Sequence, residues 1–495
     1  MRARIFGAPR AWSDYPFTLG VASGYPTDSG AVLWTRLAPQ ALVPGGGLED
    51  RVVPVQWEVA EDDAFKTLAT RGTAYAEADW AHSVHVEVTG LAPRRWYHYR
   101  FHCGDATSAT GRLRTAPKRE ETVETLRFAC VSCQHYETGY YAAYRHMLAD
   151  DLDLVVHLGD YIYENSATLG QVRRHASREP FTLDDYRMRH AQYRMDKDLQ
   201  AAHAACPWLM VWDDHEVEND YAGARSENND DPSWFLRRRA NAYRAYYEHM
   251  PLPSRMLPFG ADMRIYTHVD YGRLARFAMF DGRQYRSPQP CPKPGRGGST
   301  TITNCAARLD ERATFLDTAQ ERWFAAQLNA SEARWNLVGQ QMLIAQADSQ
   351  RGAGEAFYSD AWDGYPAARR RLLETVVASG KPNPVFFGGD VHSFWVTDLK
   401  ADYGKSTTPV VATEFVTTSV SSNPLPEALA AAIRAENPHI HYGQSGPRGY
   451  LRVSCEAGHL QSDLRGLDDV TDIRSGCMTL ASFVVENGRP GALPA

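Results

Sequence analysis

Residues 154–164 read Leu-Val-Val-His-Leu-Gly-Asp-Tyr-Ile-Tyr-Glu, a mostly apolar run that stops at Gly159 and Asp160. A run this short, rich in aliphatic side chains and ended by a breaker, suits a strand buried on both faces better than a helix. The same pattern recurs along the chain. Leu126–Val131 stops at Ser132-Cys133-Gln134-His135, Trp208–Trp212 at Asp213-Asp214-His215-Glu216, and Val385–Phe387 at Gly388-Gly389-Asp390-Val391-His392. Leu274–Phe280 is a further run of this kind, and helix-period segments lie at 139–149, 184–200 and 232–249. Buried strands alternating with helices predict a layered α/β domain, in which ligands collect where strands end.

Upstream the period changes. Val84, Val86 and Val88 alternate with polar neighbours, as do Tyr97, Tyr99 and Phe101, which is the pattern of half-buried strands. Residues 12–117 therefore read as a small all-β sandwich domain with Trp34, Trp57 and Trp96 in its core, and the charged stretch 117–124 as a linker. Residues 125–490 form the second domain, whose tail beyond about 450 returns to alternation and is expected to complete its sheet.

Composition narrows the function classes. Of 495 residues, 43% are hydrophobic and 23% charged, values of a globular chain, and no apolar run is long enough to span a membrane. A net charge of −7 gives no general attraction to nucleic acid or anionic lipid, and neither is expected as a partner. Eight cysteines are too few for a disulfide scaffold, although Cys291 and Cys305 bracket a Gly/Pro/Ser-rich loop compatible with a bridge. Cys130 and Cys133 form C-x-x-C without a second such pair. Residues three apart on a strand face opposite ways, so Cys130 is read as core and Cys133 as the thiol free to face a site.

Each strand-end cluster has an ordinary structural reading, such as an N-cap aspartate or a hydrogen-bonded histidine. Together they bring several carboxylates to one sheet edge, where they repel one another unless a cation lies between them. Thiol and phenol groups beside carboxylates suit two metals of different character. Two cations about 3.5–4 Å apart clamp a phosphoryl group and activate a water as nucleophile.

These blocks carry a resemblance. Gly159, Asp160 and Tyr163 resemble the Gly-Asp-x-x-Tyr of calcineurin-like metallophosphoesterases in their purple acid phosphatase form. Asp214-His215-Glu216 lies where that superfamily has Asn-His-Asp/Glu, and Gly389-Asp390-Val391-His392 resembles its Gly-His-x-His with Asp390 replacing the first His. The wording SCQ, HLGDYIYE, WDDHEVENDY, GGDVHSF and EFVTTSVSS, in that order, resembles the PhoD-like alkaline phosphatase family. FTLGVASGYPT and VLWTRLAP resemble that family's leading β-domain, so the likeness covers roughly residues 15–490.

The resemblance implies a metallophosphatase-type αββα sandwich preceded by an immunoglobulin-like β-sandwich. It implies metal-dependent hydrolysis of small phosphate esters, monoesters and diesters, by a metal-bound hydroxide or oxide. Carried over residue by residue, Cys133, Asp160, Tyr163 and His392 would hold Fe3+. Asp160 would bridge to one or two Ca2+ with Asp214 and Asp390, His215 would contact phosphate or protonate the leaving oxygen, and Asn219 is a further contact. The choice between Asp213 and Asp214 stays open, and Glu164 and Glu216 are read as orienting the ligands. The family is typically exported with a twin-arginine signal. Secretion or a periplasmic location is expected if such a signal has been removed, and a cytoplasmic one if Met1 is the native start.

Phosphodiesterase or phospholipase D-type activity is the alternative within the family. A Ca2+-stabilised binding module and a carboxylate-pair glycosidase are the readings from other classes. Four further features receive structural readings. Arg237-Arg238-Arg239 is expected on the solvated face of a packed helix, Asp281–Arg286 in internal charge pairing, and Glu414 as a buried carboxylate needing a hydrogen bond. Residues 425–436 read as an amphipathic helix near the fourth cluster, in core packing rather than as a lid.

Overall fold

The computed structural model describes residues 5–7, 11–405 and 407–495. At the centre of one sheet lie three parallel strands, Thr125–Val131, Leu154–His157 and Trp208–Met210, paired in that order. The C-terminal tail extends one side of it. Gly449–Glu456 pairs antiparallel with Thr125–Val131, followed by His459–Leu467 and Cys477–Glu486.

The N-terminal segment extends the other side. Gly24, in the strand Val21–Thr27, pairs with Trp208, and Gly30–Arg36 and Ser83–Val88 follow. Glycine is needed at this junction, because a Cβ on Gly24 would stand 2.8 Å from the Trp208 carbonyl oxygen and 2.7 Å from that of Pro251. Tyr25 reinforces the seam by donating to the Met210 carbonyl at 2.6 Å. The other strands of 12–117, among them Arg51–Ala60, Leu68–Glu77 and Trp96–Cys103, form a separate sheet. It packs Val53, Val55, Tyr97 and Tyr99 against Val21, Leu33 and Val84. One of the two N-terminal sheets is therefore the flank of the large sheet, and the segment is joined to the rest of the chain by backbone hydrogen bonds as well as by a linker.

A second large sheet runs Thr267–Tyr271, Ala275–Met279, Trp335–Gly339, Pro384–Gly388, Val410–Val416, Phe394–Lys400, Ile440–Gln444. Alternation along its strands divides its side chains between two cores. Phe277, Leu337, Val385 and Phe387 face the first sheet, where Phe128 meets Phe277 and Phe387 edge-on at 5.2 and 5.4 Å. Ala278, Val338, Phe386 and Trp395 face the helices Asp317–Asn329, Pro366–Ser379 and Glu427–Glu436. Another helix group packs on the first sheet, with His203 stacked on Trp208 at 3.8 Å and Tyr243 on Trp212 at 4.1 Å.

The helix expected over 184–200 is two helices, Leu183–Arg194 and Lys197–Ala205. Asp196 breaks it by adopting an extended backbone and capping the second helix through the N–H groups of Asp198 and Leu199. The three tryptophans do not share one core. Trp57 packs against the N-terminal one. Trp34 is buried at the seam with the helices, donating to the Glu248 carbonyl at 3.0 Å under the Arg194 guanidinium. Trp96 is half-buried beneath Arg112. Cys291 and Cys305 form a disulfide. Among the described residues no helix is long and apolar enough to cross a membrane.

Candidate active site

The three parallel strands of the first sheet and Pro384–Gly388 of the second deliver their terminal clusters to one place. Two glycines allow the approach. A Cβ on Gly389 would lie 2.5 Å from the Ser132 hydroxyl, and one on Gly159 2.5 Å from the Asp213 Cβ. The Cys133 and Gln134 N–H groups donate to the carbonyls of Gly159 and Asp160 at 3.1 and 3.0 Å, locking the first two clusters together. Cys133, Asp160, Asp390 and His392 all have positive φ, between 54 and 62°. Left-handed backbone at a non-glycine residue costs of order 1–3 kcal/mol, so the surrounding structure holds all four in place.

Ligand-capable atoms of Cys133, Asp160 and His392 lie within 4.8 Å of one another, all sulfur, oxygen or imidazole nitrogen. Tyr163 joins this group, donating to Asp160 Oδ2 at 2.8 Å with its hydroxyl 3.2 Å from His392 Nε2. His392 Nδ1 is 2.7 Å from the Asn423 carbonyl, an acceptor, so it carries the proton and Nε2 turns a lone pair inward. The Tyr163 ring lies between His135 and His215, at centroid distances of 4.4 and 4.0 Å.

A second group, Asp160, Asp213, Asp214 and Asp390, shares Asp160 with the first, and a further carboxylate cluster joins Asp214, Asp220 and Asp360. Asp213 and Asp214 differ in their surroundings. Asp213 receives Arg283 Nε on Oδ1, whereas Asp214 lies 3.5 Å from Arg283 Nη2 and accepts the His215 and Asp220 N–H groups. Arg283 is fully buried and also reaches Asp360 at 2.8 Å. Glu216 accepts from the N–H groups of Asp160, Tyr161 and Asp213, which ties the second and third clusters together. Glu164 accepts the Asn219 N–H and pairs with His215 Nδ1 at 2.7 Å.

The electrostatics of the protein alone are unbalanced. Burial first, then the charges of Asp214, Asp213 and Glu216 against the relief from His215, hold the Asp160 carboxyl well above its ordinary range. Burial together with Asp213 and Asp214 does the same to Asp390. The Cys133 thiol is raised by burial and by Asp160 and Asp390, and the Tyr163 phenol by burial, Asp160 and Cys133. Burial alone would depress His215, but Glu164, Asp214 and Asp160 overcome it and raise its pKa well above the usual value. Asp160 Oδ1 is buried without a hydrogen-bond partner. An orphaned carboxylate oxygen among acids that cannot all ionise together fits a bound cation, and the donor set of thiol, phenol, imidazole and carboxylate matches a mixed metal pair.

The chain matches the model of the PhoD-like phosphatase family over residues 128–464, and that of the PhoD-like phosphatase N-terminal domain over residues 4–117. It belongs to the PhoD-like phosphatase family. A relative, alkaline phosphatase D of Bacillus subtilis (strain 168), is 44% identical over 488 residues, covering 97% of this chain and 82% of that protein. A solved structure described as "Structure of PhoD" superposes with a TM-score of 0.93 at 42% identity, over 99% of this chain and 93% of that one.

In this PhoD-like chain Cys133, Asp160, Tyr163, Asp214, His215, Asp390 and His392 surround one centre, and Asn219 lines the cavity beside it. One expectation needs correction. Arg238 and Arg239 are not on a solvated face: both are buried, and Arg238 pairs with Glu218 at 2.8 Å and Glu179 at 2.6 Å. The Asp281–Arg286 stretch does pair charges internally, but its Arg283 does so with the carboxylates of the site. Asp360 and Ser422, which donates to the Tyr163 hydroxyl at 2.8 Å, were not singled out by sequence reasoning. Ser422 ends the EFVTTSVSS block, the one signal that pointed toward it. Glu414 is satisfied by the Ile344 and Ala345 N–H groups and by Thr397. The helix Glu427–Glu436 does two things: Ala430 and Ile433 pack in the outer core, while Leu429 and Ile433 also line the active-site cavity.

Proposed function

We propose that this chain hydrolyses phosphate esters at a mixed iron–calcium centre, within a metallophosphatase-type αββα sandwich led by an immunoglobulin-like β-domain. Its membership of the PhoD-like phosphatases makes it a phosphoric ester hydrolase. The observation that carries the two-metal reading is the sharing of Asp160 between a sulfur- and imidazole-bearing donor group and an all-carboxylate one. Cys133, Asp160, Tyr163 and His392 would hold Fe3+, and Asp160, Asp214 and Asp390 one or two Ca2+. Bound there, the ions supply charge neutralisation at the phosphoryl oxygens and a nucleophilic water at neutral pH.

The chain's own residues do the rest. Arg283 occupies Asp213 and leaves Asp214 to face the cavity. His215, kept protonated by Glu164, offers its Nε2 proton to the departing alkoxide. Asn219 lines the same cavity and supplies an amide for a phosphoryl oxygen. With a cavity volume of about 470 Å³, there is room for the second substituent of a diester as well as for a monoester. The test is metal content by inductively coupled plasma mass spectrometry, followed by kinetics on matched mono- and diesters. Iron together with calcium and turnover is expected; zinc or manganese alone would remove the roles given to Cys133 and Tyr163.

A further inference from the structure

The active-site cavity has two chemical characters. Asp214, His215, Asn219, Asp220, Asp390 and His392 form its polar part. Leu343, Val391, Pro424, Leu425, Leu429 and Ile433 form an aliphatic part. Among the described residues its lining contains no lysine or arginine. Two nearby guanidiniums are engaged by carboxylates, Arg283 by Asp213 and Asp360 and Arg286 by Asp360.

The aliphatic part is built and held. Leu429 and Ile433 are one helical turn apart and share a face of the helix Glu427–Glu436. That helix is tied down at both ends, since Ser445 donates to Glu427 in its first turn at 2.6 Å and Arg434 in its last turn donates to the Gly443 carbonyl. Leu429 nevertheless remains 37% exposed beside the catalytic cluster, and Leu169, whose carbonyl accepts from the Asn423 amide, is 76% exposed. Apolar surface left in water next to a polar centre gains stability when a hydrocarbon covers it.

We infer that this aliphatic wall is the subsite for the alcohol portion of the ester. The enzyme selects phosphate esters of apolar alcohols, alkyl or aryl, over those of short, hydrophilic alcohols. This rests on the reading of the adjoining cluster as the phosphoryl site.

The test uses metal-loaded enzyme and n-alkyl phosphates from ethyl to octyl, kept below their micellar concentrations. Across this series the leaving-group pKa is nearly constant, so chain length reports binding of the alkyl group and not its departure. Complete burial gives a factor of about four in kcat/KM per methylene, and a rise of at least about twofold per methylene over the first carbons is expected. Leu429→Ser and Leu429→Lys should both flatten the alkyl series, with thermal unfolding as in wild type. A flat series in wild-type enzyme that turns over ethyl phosphate overturns the subsite. No hydrolysis of any ester by metal-loaded protein overturns the phosphoryl-site reading beneath it.

Discussion

His215 and Glu164 form an ion pair at the floor of the cavity, with Nδ1 2.7 Å from Oε2 and the Tyr163 ring stacked on the imidazole at 4.0 Å. Burial favours the neutral form of each partner and is the largest single effect on Glu164, yet His215, Arg238 and the Asn219 N–H together lower its pKa. The carboxylate also accepts the Asn219 N–H, so one side chain orients the imidazole and fixes the backbone of a neighbouring cavity residue.

If His215 is the acid, its loss should be felt most where the leaving group is poor. His215→Ala is expected to slow alkyl phosphate esters by about 10²–10⁴-fold, and nitrophenyl esters, which need little protonation, far less. Glu164→Gln removes the foremost charge raising the histidine's pKa. The acid form is then lost at lower pH, and the alkaline limb of kcat/KM for alkyl esters should move down. An unmoved limb would assign that limb to another group.

Cys133→Ala and Tyr163→Phe are expected to fold and to lose iron and activity, with iron measured on the purified variants. Ser422→Ala removes a hydroxyl that contacts the Tyr163 hydroxyl and the Cys133 carbonyl and accepts the His135 N–H, and it leaves the ligand side chains themselves unchanged. Loss of such an outer partner weakens metal affinity by about 10–100-fold, so iron should leave it at lower chelator concentration than wild type. Full iron in either ligand variant would strike that residue from the set.

Chelation should make stability depend on pH in one direction. Without metal, burial and neighbouring acids raise Asp220 from 3.8 to about 7, and Asp160 and Asp390 shift upward too. A carboxyl with a raised folded-state pKa binds its proton more tightly folded than unfolded. The folded state therefore loses relative stability as pH rises from the unfolded value near 4 through about 7. The melting temperature of chelated protein should fall across that window while loaded protein stays nearly level. Parallel curves would mean that no cation balances these carboxylates.

Arg283 stands among Asp213, Asp214 and Asp360 with no exposure to solvent. Arg283→Met leaves three buried carboxylates uncompensated, a change expected to cost about 3–5 kcal/mol in denaturant unfolding. A loss below about 1 kcal/mol would show that the carboxylates neutralise by taking up protons instead.

The strand-end clusters were legible because a buried strand needs an unbroken apolar run and a site needs polar groups where the run stops, both properties of consecutive residues. Cys130 could be set apart from Cys133 by strand alternation alone. Arg238 was misread because a run of three arginines looks solvated until Glu218 and Glu179 arrive from distant positions to neutralise it. The pairing of Gly24 with Trp208, which carries a strand of residues 12–117 into the large sheet, joins positions far apart in the chain and leaves no local trace.

By itself the sequence determined the strands, the four clusters and the chemical kinds of donor they carry, since these follow from composition and period within short windows. Tertiary structure alone decided which clusters meet. It gave Asp213 to Arg283 and left Asp214 facing the cavity, made Asp160 common to two donor groups, and set Leu429 and Ile433 beside the catalytic residues. Those outcomes depend on through-space distances of a few ångströms between residues tens to hundreds of positions apart, and such distances exist only after the two sheets have packed.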